Sequence, residues 1–71
     1  MSLRLVVDSS TVLSVAYDRG TAALEVQFRH ANEIYRFDGV PASVYDGLMA
    51  AQSKGEFFNE HIRDSYRFSR V

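Results

Sequence analysis

Three short runs constrain this chain more than any other feature: TVLSVAY (residues 11–17), AALEVQF (22–28) and EIYRF (33–37). Each is rich in β-branched and aromatic residues and alternates in polarity. Between them stand DRGT and RHAN, which supply the Asp, Gly and Asn that turns require. The pattern predicts a three-stranded antiparallel meander. Alternation also makes the register testable. Leu13, Val15 and Tyr17 share one face of the first run, Leu24, Val26 and Phe28 one face of the second, and Tyr35 and Phe37 one face of the third. If both hairpin loops hold an even number of residues, odd positions pair with even ones and all these side chains fall on one side of the sheet. Ser14, Glu25, Gln27 and Arg36 then form the solvent face, with Glu25 and Arg36 placed for cross-strand pairing.

The second half reads as helix. After an Asp38-Gly39 turn, Pro41 suits the first turn of a helix through ASVYDGLMAAQ, with Val44, Leu48 and Ala51 on one stripe. Gly47 either weakens this helix or permits a close approach. Ser53 and Glu56 then stand at capping-box spacing, so a second helix starts at Ser53 and buries Phe58 and Ile62 as an i, i+4 pair, with Phe57 and His61 beside them. The fold class is therefore α+β: a three-stranded meander followed by two short helices packed on one face. The sheet becomes four-stranded if the amino-terminal LRLVV or the closing SYRFSRV adds a strand.

Composition narrows the function classes. At 71 residues and 46% hydrophobic the chain closes one modest core, and without Cys neither a disulfide framework nor a thiolate metal site can hold it. The amino-terminal apolar run is too short for a signal-peptide core or a membrane span, which makes a cytoplasmic protein the expectation. A formal charge of −1 is a weak footprint for a polyanion binder, although residues 53–71 carry four basic side chains against three acidic ones. His30 and His61 have no partners at metal-ligand spacing, and Ser53 or Ser65 near His61 lacks an orienting third group. A non-enzyme without metal or cofactor is expected.

At this point a resemblance becomes visible. SSTVLSVAYD, then IYRFDGVP, then VYDGLMAAQSKGEFFNEHIR and the late Tyr66 resemble the KTSC domain. That domain is named for its occurrence at the C-terminus of some lysyl-tRNA synthetases and is also found as free-standing small bacterial proteins. The likeness covers residues 9 to 68. The family's Tyr-x-Tyr mark is met by Tyr35-Arg36-Phe37 with Phe in the last place, and its SKG, FN and IR by Ser53-Lys54-Gly55, Phe58-Asn59 and Ile62-Arg63. The resemblance implies a small α+β fold and a lean toward nucleic-acid binding.

The residues offer one constellation for that lean. A helix start at Ser53-Lys54-Gly55 presents free N–H groups, a Gly beside a Lys lets a phosphate come close, and Asn59 and Arg63 follow along the same side. Glu56 in the same turn opposes an anion. Tyr35 and Tyr66 are candidate stacking rings for RNA or single-stranded bases. Tyr35 and Phe37 nonetheless continue a face filled by Leu, Val and Phe, which places them in the core under the helices. The competing expectation is a protein-interaction or homo-oligomerisation module that docks through a free sheet edge or through Tyr45 and Tyr66.

Overall fold

The computed structural model describes residues 4–31 and 33–71; Leu3 of the amino-terminal run and Asn32 of the second turn lie outside the described residues. Along the chain come β1 (Arg4–Val6), β2 (Val12–Asp18), β3 (Ala23–Phe28), β4 (Ile34–Phe37), α1 (Ala42–Ala50), α2 (Lys54–His61) and β5 (Phe68–Arg70). The strands form one antiparallel sheet in the order β1-β2-β3-β4-β5, and both helices are inserted between β4 and β5. The α+β class stands. The strand number is corrected to five, because LRLVV and SYRFSRV each contribute an edge strand. Three-residue strands of mixed polarity form only where a neighbour offers its ladder, and that information is tertiary.

The register follows the expected parity through the centre of the sheet. Tyr17 pairs with Leu24, Val15 with Val26, Leu24 with Phe37 and Val26 with Tyr35, so these side chains share the helix-covered face. Leu13 departs from the expectation. A bulge between Val12 and Ser14 puts Val12 opposite Phe28, and Val12 rather than Leu13 is the fully buried residue. Ser14 is a second correction: expected toward solvent, it is buried, its hydroxyl accepting from Arg4 at 3.1 Å and donating to Gln27 at 2.8 Å. Glu25 and Arg36 do stand opposite one another, but each carboxylate or guanidinium is taken elsewhere. Arg4, carried on the additional strand β1, binds Glu25, and Arg36 binds Asp38.

Both helices pack on the face that parity selects. Gly39 at φ +73° makes the turn out of β4, Pro41 precedes α1 in an extended conformation, and Ser53 precedes α2 with its hydroxyl accepting from the Glu56 N–H at 3.3 Å. Leu48 from α1 and Phe58 from α2, with Ile62 just beyond it, close over Val12, Val15, Leu24, Val26 and Phe37. The Phe58 ring meets Phe37 edge-on at 5.3 Å and Phe28 at 5.1 Å. At Gly47 α2 packs tightly against α1: a Cβ there would lie 2.8 Å from the Phe57 ring. Close packing, not a weak helix, explains that glycine.

Candidate functional site

The start of α2 is engaged with its own chain. Lys54 extends its ammonium to the end of α1, donating to the carbonyls of Met49 at 3.2 Å and Ala51 at 3.1 Å. Helix carbonyls at a C-terminus lack intrahelical partners, so this cation both satisfies them and meets the negative end of the α1 dipole. Gly55 is approached by Thr11 of the β1–β2 loop, whose Oγ1 would lie 2.9 Å from a Cβ at that position. The close approach that a glycine permits is thus made here by a side chain of the same protein.

A different place gathers chemistry from distant parts of the sequence. Between α2 and the β4–β5 side of the sheet lies an open groove of about 570 Å³ whose rings are Phe28, Tyr35, Phe37, Phe58 and Phe68. The rings form a connected set: Phe28 meets Tyr35 edge-on at 5.7 Å, Tyr35 meets Phe68 edge-on at 5.8 Å, and Phe37 lies tilted against Phe68 at 5.7 Å. Phe37 is only 3% exposed and serves as floor, whereas Phe68 is 56% exposed and presents its ring to solvent. Asn59 and Arg63, one turn apart, supply polar groups at the rim, where Asp64 also lies.

The electrostatics of the rim are set by which cations are already held. Arg4, Arg19, Arg36 and Arg70 each bind a carboxylate, namely Glu25, Asp46, Asp38 and Glu33. Among the described residues no carboxylate lies within ion-pair distance of Arg63, which is exposed. On the other flank Glu33 receives the Tyr35 hydroxyl at 2.8 Å and the Arg70 guanidinium at 3.1 Å. The hydrogen bond to Glu33 raises the Tyr35 phenol above its ordinary value, with desolvation and the carboxylate's charge adding to it and Arg70 working against it.

Of the residues singled out from the sequence, Tyr35, Asn59 and Arg63 therefore meet at one groove. Lys54, Gly55 and Tyr66 do not line it. Tyr66 is half-buried against the core, and Tyr45 is stacked on Tyr17 at 4.6 Å. His61 lies against the Phe57 ring at 4.5 Å, and among the described residues no three His, Asp or Glu side chains gather into a metal-binding group. No helix of the described residues is long and apolar enough to cross a membrane. The ring that sequence reasoning passed over is Phe68. Its signal was the alternation of YRFSR, which places Phe68 and Arg70 on one face once a strand forms there.

A sequence model described as the KTSC domain matches residues 8–66. The chain belongs to the KTSC domain family. An uncharacterised protein of Stutzerimonas stutzeri is 35% identical over 69 residues, covering 96% of each chain. The crystal structure of a KTSC domain protein from Yersinia pestis superposes with a TM-score of 0.95 at 35% identity, covering 100% of this chain and 99% of that one. A lysine–tRNA ligase of Nostoc punctiforme is 30% identical over 64 residues, which is 90% of this chain but 11% of the ligase. The region shared with that enzyme is thus one small part of it.

Proposed function

We propose that this KTSC domain is a non-catalytic accessory module that binds single-stranded nucleic acid, RNA in particular, through the aromatic groove. The observation that carries the reading is the meeting of Tyr35, Asn59 and Arg63 with four further rings at one groove, from stretches far apart in sequence. An unpaired base stacks on an exposed ring regardless of its identity, which makes Phe68 the platform. The Asn59 amide offers both a donor and an acceptor to a base edge, and Arg63 offers its guanidinium to a phosphate. The similarity of this chain to part of a lysine–tRNA ligase supports the reading. Lys54 and Gly55 enter this reading as positioning residues: Lys54 ties α2 to the end of α1, and Gly55 lets Thr11 settle against α2, which fixes the angle of the helix that carries Asn59 and leads into the turn holding Arg63.

Because the net charge is −1 and Asp64 shares the rim, affinity for a polyanion is modest, and the Arg63 contact makes it salt-sensitive. The test is an amide chemical-shift titration of the labelled domain with short single-stranded RNA at low and at raised salt. Salt-sensitive shifts on Asn59, Arg63 and Phe68 are expected, with Arg63→Gln weakening binding and reducing the salt slope by about 1. Asp64→Asn is expected to tighten it. Shifts that stay absent at low salt, where phosphate attraction is strongest, overturn the reading.

A further inference from the structure

We infer that the aromatic groove is selective for guanine, with Asp64 as the residue that determines the preference. The inference rests on the nucleic-acid reading and names the base which that reading leaves open. A groove of about 570 Å³ has the size of a small-molecule site, so it takes one splayed-out nucleotide and not a run of them. Selectivity is therefore set by the edge of a single base. Stacking on the exposed Phe68 ring supplies attraction without choice, because every base has a π-face. Choice falls to the polar lining. Thr11 lies against Gly55 and the Tyr35 hydroxyl donates to Glu33, which leaves Asn59, Arg63 and Asp64 to meet a ligand.

Asp64 follows Arg63 in the turn after α2, and both are exposed. Among the described residues the Asp64 carboxylate has no cation within ion-pair distance. Neither it nor the Asn59 amide is engaged in a side-chain hydrogen bond within the described chain. Beside an arginine that attracts phosphate, a carboxylate lowers affinity for every strand alike, and only a base that donates to it offsets that loss. The Watson–Crick edges differ in what they donate. Guanine presents N1–H and N2–H side by side, matching the two oxygens of one carboxylate, and next to them the O6 acceptor, matching an N–H of the Asn59 amide. Adenine can satisfy an amide through N6 and N7, but it then has one amino group for both side chains and sets a ring-nitrogen lone pair against the carboxylate. Cytosine likewise offers one amino group beside a ring-nitrogen acceptor. Uracil offers one N–H between two carbonyls, which repel a carboxylate on both sides. Guanine alone satisfies Asn59 and Asp64 together, and Arg63 stays free for the phosphate.

Short uridine strands that differ only in the central base, being guanine, adenine, cytosine or uracil, are titrated into the labelled domain at low salt. The guanine strand is expected to bind roughly tenfold tighter than the others. Adenine is the control for stacking, since it offers a purine face without the two donors. An inosine strand lacks only the N2 amino group and is expected to fall toward the uracil value. Asp64→Asn, at an exposed turn position, is expected to bring the guanine strand down to the adenine level while tightening the uracil strand. Loss of a charge alone would tighten all four equally, so the crossover isolates the hydrogen bonds. Equal affinity for the four strands, with shifts still on Asn59, Arg63 and Phe68, overturns the guanine inference and leaves the nucleic-acid reading standing. So does a guanine preference that survives Asp64→Asn. Shifts absent with every strand at low salt overturn both.

Discussion

The triplet Tyr-Arg-Phe occurs twice in this chain, and the two copies meet in space with opposite fates. Tyr35-Arg36-Phe37 lies in β4, an inner strand, whereas Tyr66-Arg67-Phe68 leads into β5 at the sheet's edge. Their phenylalanines face one another across the ladder, yet Phe37 is 3% exposed and Phe68 56% exposed. The difference is one of neighbours. Phe37 has β3 on one side, β5 on the other and Phe58 above it, while Phe68 has β4 on one side and open edge on the other. Tyr35 sits in register with its hydroxyl bound by Glu33; Tyr66 precedes the strand and turns to the core from irregular backbone. Local sequence chooses the alternation, and position in the sheet decides what each face means.

The largest expected effect tests that difference directly. Phe37→Ala empties a buried site between sheet and helix and is expected to cost about 3–5 kcal/mol, read by urea or thermal unfolding. Phe68→Ala removes a ring that is already half in water and is expected to cost under about 1 kcal/mol. In the RNA titration of the proposed groove, Phe68→Ala is expected to weaken binding while leaving a folded protein. Equal destabilisation by the two substitutions would mean that the edge ring is as much core as the central one.

The extent to which this contrast was legible follows from where each piece of information resides. Alternation placed Tyr35, Phe37, Leu24, Val26, Val15 and Tyr17 on the correct face, because strand parity is local once two turns are recognised. It failed at Leu13, since one extra residue in a bulge reverses the phase and Val12 and Leu13 are equally apolar. It also failed for Glu25 and Arg36, whose register was right but whose partners come from β1 and from Asp38. The start of α2 shows the same boundary. Ser53 and Glu56 announced the cap, but the tie from Lys54 to the α1 carbonyls and the seat of Thr11 on Gly55 depend on how distant segments pack. Likewise Asn59 and Arg63 were singled out for a helix start, and the structure gathers them with Tyr35 at a groove instead.

A smaller effect separates the two tyrosines. Tyr35→Phe removes a hydroxyl bonded to Glu33 and is expected to lower the melting temperature measurably, though far less than Phe37→Ala does. Tyr66→Phe is expected to change little, because among the described residues its hydroxyl holds no side-chain hydrogen bond while its ring packs on the core. A Tyr66→Phe effect as large as that of Tyr35→Phe would place the tyrosine difference in packing and not in the carboxylate contact.

The finest distinction is in acid–base behaviour. Donation to the Glu33 carboxylate favours the neutral phenol of Tyr35, as do desolvation and the nearby negative charge, so its pKa is raised above the ordinary tyrosine value. A raised folded-state pKa means that the native chain holds this proton more tightly than the unfolded one. The stabilisation is fully present below the unfolded pKa of about 10 and is lost as pH rises through the higher folded value. Carbon-13 shifts of the labelled tyrosine rings, followed through alkaline pH, read the Tyr35 titration. Glu33→Gln is expected to bring the Tyr35 titration down toward the ordinary value, and Arg70→Gln to push it further up, since the guanidinium opposes the carboxylate. If Tyr35 titrates unchanged in Glu33→Gln, the bond to Glu33 is not what distinguishes the first triplet from the second.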